Sequence, residues 1–189
     1  MPSAHARKRS TAPKASADPL DGLYTVSRPE LMVKGNDVAF RHFVSNLFAA
    51  ADIVWRARGR LSQKFGMTAN QFAILLAVRH FGTGASVRQL ADHLKMVAAN
   101  VTKEVNILAA EQLLAKATDP KDSRALSITL TPKAFRLLRA LLPISREIND
   151  IQYQGMTAAD MSTISSACAR IVESEDQILR LIAKVDVWK

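Results

Sequence analysis

Apolar residues recur along most of this chain at helical spacings, and the breaks fall at capping residues, glycine and proline. Between 36 and 65, Val38, Phe43, Leu47, Ile53, Val54 and Leu61 recur with Phe40, Phe48 and Trp55 beside them, which predicts one long helix. Its apolar face is wider than one packing partner needs, so a second copy of the chain is expected against it. Gly66 closes that helix, and Thr68 caps a second one over 69–80 with Phe72, Ile74, Leu75, Leu76 and Val78 inward. Ser86-Val-Arg-Gln89 has the Ser-x-x-Gln form of a capping box and opens a short helix with Leu90, Ala91 and Leu94 inward. Lys95-Met96 make a turn. A further helix follows over 97–110, with Val101, Val105 and Leu108 inward at i, i+4 and i+7.

The pattern then changes. Residues 113–116 and 125–130 read as strands, and Asp119-Pro120-Lys121-Asp122 between them is a turn signal. Thr131 as N-cap and Pro132 at the first helical position open a helix to about Gln152, with a kink expected at Pro143. Gly155 ends that element. Thr157 caps a last helix to about Val185, with Met161, Ile164, Cys168, Ile171, Ile178, Leu179 and Ile182 on its apolar face. Helix, turn, helix, strand, charged tip, strand, helix is the order of a winged helix-turn-helix. The expected fold class is mainly α, with a small β-wing and long N- and C-terminal dimerisation helices. The expected divisions are a disordered basic tail over 1–35, an N-terminal dimerisation helix over 36–65, a DNA-binding lobe over 66–133 and C-terminal dimerisation helices over 134–189.

Composition narrows the class. Across 189 residues, 48% are hydrophobic, enough for a real core, and no apolar run is long enough to span a membrane. No secretory segment opens the chain. A cytoplasmic, nucleoid-associated protein is expected. The net charge of +9 is unevenly placed: residues 60–133 hold ten Lys and Arg against five acids, whereas 134–189 hold seven of each. A basic excess on the helix-turn-helix region attracts phosphate. The 1–35 stretch carries Pro2, Pro13, Pro19, Pro29 and the cluster Arg7-Lys8-Arg9. It reads as a solvated tail, as an arm along DNA, or as a targeting segment. The single cysteine, Cys168, excludes an internal disulfide; on the apolar face between Ile164 and Ile171 it is expected to be buried and inert. His5, His42, His80 and His93 lack ligand spacing, so no metal is expected. No phosphate loop, nucleophile elbow or paired carboxylate appears, so neither a cofactor nor an enzymatic activity is expected.

The helix over 97–110 carries the candidate chemistry. With Val101, Val105 and Leu108 inward, Ala98, Ala99, Asn100, Thr102, Lys103 and Asn106 face outward. Small residues let the backbone approach base pairs, Asn can bond the adenine edge, Lys can reach guanine or phosphate, and Ala and Thr methyls can touch the thymine methyl. A plain solvated helix face has the same composition. On the wing, Lys116, Lys121 and Arg124 can grip phosphate or enter a minor groove. Asp119 and Asp122 either hold the tip, by accepting turn amides and pairing with Arg124, or weaken contact with DNA.

Residues from about 36 to 186 resemble the MarR family of multiple antibiotic resistance regulators. The resemblance rests on Thr68-Ala-Asn-Gln-Phe-Ala-Ile-Leu, Leu90-Ala-Asp-His-Leu, Val101-Thr-Lys, and Asp119-Pro-Lys-Asp-Ser-Arg-Ala followed by Leu130-Thr-Pro-Lys-Ala. It implies a homodimeric winged-helix transcription regulator on an inverted-repeat operator in double-stranded DNA, often a repressor released by a small molecule, here aromatic or acyl. It places Asn100, Thr102, Lys103 and Asn106 on the recognition helix and Asp122 and Arg124 on the wing. By the same resemblance, Phe43, Trp55 and Phe72 line an effector pocket, with His42 and Arg56 near an anionic ligand; as plain sequence, the three aromatics read first as core residues and His42 and Arg56 as surface. The chain departs from the family at Gln112, where a Gly is usual, at Lys116-Ala117 in place of an Arg pair, at Ser123, at Val97 and at Glu104. The altered wing leaves open a competing reading, a winged-helix module that docks on protein without specific DNA binding.

Overall fold

The computed structural model describes residues 20, 22–82, 84–118 and 126–185. It divides into two compact units with the boundary between Asp52 and Ile53, inside helix α1 (Val38–Lys64).

The first unit holds more order than its composition suggests. A 3-10 turn spans Pro29–Leu31, and a tight turn at Lys34 and Gly35 is closed by a bridge between Val33 and Asn36. Asp37, at the start of α1, is 1% exposed. Its carboxylate accepts from the Thr25 amide at 2.7 Å and the Thr25 hydroxyl at 2.6 Å, and pairs with Arg41 at 3.1 Å. The Thr25 bonds, with Arg41 behind them, hold this carboxyl below its ordinary range. Part of the segment expected to be unstructured is therefore latched by one buried acid. Composition averages over a window and does not register a single such residue.

In the second unit, α2 (Ala69–Phe81), α3 (Val87–Leu94) and α4 (Ala98–Ala110) are followed by β1 (Leu114–Thr118), β2 (Leu126–Leu130) and α5 (Pro132–Gln152). The expected caps form. Thr68 with Gln71 and Ser86 with Gln89 each make a reciprocal capping box, and Thr131 accepts from the Ala134 amide with Pro132 behind it. β1 and β2 pair antiparallel, with Leu114 opposite Leu130 and Lys116 opposite Ile128. Ala85 adds a third short rung, exchanging two bonds with Ile128 at 3.0 and 2.9 Å. Gly84 beside it has φ +126, and a Cβ there would meet the Ser127 hydroxyl at 2.1 Å, so the close approach needs glycine. The core packs Phe72, Ile74 and Leu75 of α2 with Leu90, Val101, Val105, Leu108, Ile128 and Leu141, all at 2% exposure or less. Each such side chain contributes about 1.5–3 kcal/mol by leaving water.

The last helix differs from expectation. It is two helices, α6 (Ala158–Glu173) and α7 (Glu175–Ile182), broken at Ser174. Both the amide and the hydroxyl of Ser174 donate to the Ile171 carbonyl, at 3.2 and 2.7 Å. That local bonding competes with the helical ladder, which resumes when Ile178 donates to the Ser174 carbonyl at 3.0 Å. Neither helix buries a residue in the single chain. Cys168 is accordingly half-buried, not enclosed as expected, because Ile164 and Ile171 beside it are both exposed.

Candidate nucleic-acid interface

The turn before α4 is built by the backbone. Lys95 adopts the left-handed region at φ 53, and the Met96 amide reaches back to the Ala91 carbonyl at 3.0 Å. Val97 is extended and caps α4 without a side-chain bond. Its own side chain is 69% exposed. From there Val101, Val105 and Leu108 go into the core. Ala98, Ala99, Asn100, Thr102, Lys103 and Asn106 all stand exposed on the other side, as the periodicity requires.

Three interactions fix this helix. First, Glu104 accepts from Gln71 Nε2 at 3.0 Å. Gln71 is 6% exposed, and its carboxamide oxygen already accepts from the Thr68 amide at 2.9 Å. One side chain thus closes the cap of α2 and ties α2 to α4. Sequence reasoning missed this role, although an acid at a usually apolar position facing a capping Gln was the available signal. Second, Lys116 Nζ on β1 donates to Asn106 Oδ1 on α4. Two residues singled out separately are therefore bonded to each other. Third, α4 ends in a paired bond motif. The Leu113 amide reaches the Leu108 carbonyl at 2.8 Å and the Gln112 amide the Ala109 carbonyl at 3.0 Å. Gln112 occupies the left-handed position at φ 62, which explains why a glycine suits that site. Thr131 Oγ1 covers the Gln112 carbonyl at 2.7 Å, and Lys133 the Glu111 carbonyl at 2.8 Å. On α4 itself, the Thr102 hydroxyl turns back to the Ala98 carbonyl at 2.9 Å.

Of the wing residues, Lys116 is placed, whereas Asp119, Lys121, Asp122 and Arg124 lie outside the described residues. The three aromatic pocket candidates differ in exposure. Phe43, in the first unit, is 52% exposed, and Trp55 is 49% exposed. Phe72 is buried and lines a pocket of about 160 Å3 in the second unit, with Leu61 and Leu76 beside it and Arg58, Ser145 and Tyr153 as polar lining. Trp55 is not part of that wall. Among the described residues no cluster of three or more His, Cys, Asp or Glu could hold a metal ion, and no helix is long and apolar enough to cross a membrane.

A sequence model of the MarR family matches residues 65–125, from just after α1 to the residue before β2. Solved structures and a curated regulator agree with it over a longer span. Over residues 65–125 the chain is similar to the MarR family. It is 26% identical over 110 residues, 58% of this chain and 69% of the other, to the HTH-type transcriptional repressor NicR of Pseudomonas putida. BpsR of Bordetella bronchiseptica, whose DNA binding is regulated by 6-hydroxynicotinic acid, superposes with TM-score 0.55 at 25% identity, covering 75% of this chain and 93% of that one. A probable transcriptional regulator from Pseudomonas aeruginosa superposes with TM-score 0.55 at 27% identity, covering 66% and 92%. The mainly helical winged-helix fold expected from the sequence is also the fold of the solved transcription regulator MarR from Oenococcus oeni, TM-score 0.63 at 19% identity, covering 70% of this chain and 99% of that one.

Proposed function

We propose that this chain is a homodimeric, sequence-specific DNA-binding repressor that acts in the cytoplasm, at the nucleoid, and is not an enzyme. The observation that carries the reading is α4, a helix fixed by three interactions whose exposed row of small, amide and cationic side chains fits a major groove. The likeness to NicR and BpsR supports repression and its relief by a ligand. Ala98, Ala99, Asn100, Thr102, Lys103 and Asn106 face the bases. Lys121 and Arg124 grip the backbone from the wing, and Asp119 and Asp122 shape its tip. Two copies pair through the exposed apolar residues of α6 and α7. That pairing sets two α4 helices on half-sites about 10 bp apart.

The effector is a small aromatic or acyl anion held in the Phe72 pocket, with the half-buried Arg58 meeting its carboxylate. Binding shifts the dimer toward a shape whose two α4 helices no longer match the half-sites.

Capture of sheared genomic DNA from the source organism, washed at low and at physiological salt and then sequenced, tests the reading. A few enriched sites sharing an inverted repeat are expected. Broad capture that vanishes at the higher salt would leave only non-specific phosphate binding.

A further inference from the structure

Asn106 shares the exposed face of α4 with Ala99, Thr102 and Lys103, three to seven residues before it. An unrestrained Asn presents a carbonyl oxygen and an NH2 group side by side, which matches the N6 donor and N7 acceptor of adenine. Here the oxygen is engaged by Lys116 Nζ. An ammonium has donors only, so the carboxamide must turn its oxygen toward Lys116 and its NH2 away from it. Both side chains are exposed in the free protein, and the bond strengthens as docked DNA excludes water. A donor-only Asn fits an edge with two adjacent acceptors. Guanine offers O6 and N7 there, whereas adenine sets a donor beside its single acceptor. Thr102 does not compete for the same edge, since its hydroxyl donates to the Ala98 carbonyl at 2.9 Å.

We propose that Lys116 is a positioning residue that locks Asn106 as a donor-only reader and so sets a preference for guanine over adenine at one base pair of each half-site. The inference rests on the reading of α4 as the groove-facing helix. It gives Lys116 a role through Asn106 in place of the phosphate contact that its charge alone suggests.

The test selects duplexes from a random-sequence pool with the full wild-type chain and with Lys116→Met, Lys116→Arg and Asn106→Ala. Wild type is expected to prefer guanine to adenine at one position per half-site by roughly tenfold. Asn106→Ala loses that preference at that position alone. Lys116→Met moves it toward adenine and leaves the salt dependence of binding unchanged. Lys116→Arg, still a donor only, keeps guanine. Retention of guanine by Lys116→Met, with the slope of log affinity against log salt reduced by about one per chain, makes Lys116 a phosphate contact and overturns the proposal. A wild-type preference for adenine at that position overturns it as well. Failure of wild type to select any shared repeat overturns the groove-facing reading itself, a result distinguishable from both.

Discussion

The winged-helix lobe and the C-terminal helices are both amphipathic, but they treat their apolar residues in opposite ways. Val101, Val105 and Leu108 of α4 are 0–1% exposed within one chain. Ile164, Ile171, Ile178 and Ile182 of α6 and α7 stand 46–59% exposed. The lobe therefore completes its own core, whereas α6 and α7 present an apolar face that a single chain leaves uncovered. An exposed apolar face of that extent marks an interface. The contrast is between a lobe fixed by its own packing and two helices whose apolar face one chain leaves uncovered.

Substitutions in the two regions should separate these roles. The largest effect is expected at the core. Leu108→Ala removes a buried side chain from the lobe and should cost about 3 kcal/mol, read as a lower midpoint in urea unfolding. Ile164→Asp with Ile171→Asp should leave the lobe folded by circular dichroism. In sedimentation, the species should fall from twice the 20.7 kDa chain mass to one chain. If the double variant stays dimeric, α6 is not the pairing face. Glu104→Ala strips a buried Gln71 of its partner and should destabilise by about 1–2 kcal/mol. Operator affinity should fall with it, because the tilt of α4 loosens. Gln112→Gly relieves a left-handed side chain and should raise stability by up to about 1 kcal/mol.

The smallest effect concerns acid. Asp37 and Asp160 both have lowered pKa values, from the Thr25 and Thr157 hydrogen bonds respectively. A depressed folded-state pKa means that the stabilisation is present above the ordinary carboxylate pKa. It is lost as pH falls below that value and through the lower folded one. The latch on Thr25 and the cap of α6 should thus hold at neutral pH and release only in acid. Asp37→Asn should mimic release at neutral pH, read as faster tryptic cleavage at Lys34.

Much of this was legible because it is periodic or local. The i, i+4, i+7 stripe of α4, the capping boxes at Ser86 and the Thr131-Pro132 start each lie within one or two turns of chain. What escaped was long-range or interruptive. Gln71 and Glu104 are 33 residues apart and meet only once the lobe folds. The break at Ser174 is masked because the apolar rhythm of Ile171, Ile178 and Ile182 runs straight through it. Cys168 looked enclosed because a helical stripe shows which face is apolar, not whether anything covers it. The pairing of Lys116 with Asn106 joins a strand to a helix, and neither pattern alone reveals it.

In the proposed function, two α4 helices, fixed in their lobes and paired by the C-terminal helices, read one inverted repeat. The most direct test measures affinity of the full chain for the captured repeat, for a duplex with one half-site scrambled, and for one with about 5 bp inserted between half-sites. Roughly hundredfold weaker binding to both altered duplexes is expected, since each denies the second helix its groove. Equal affinity for all three would mean that a single lobe does the reading and that no paired readout exists.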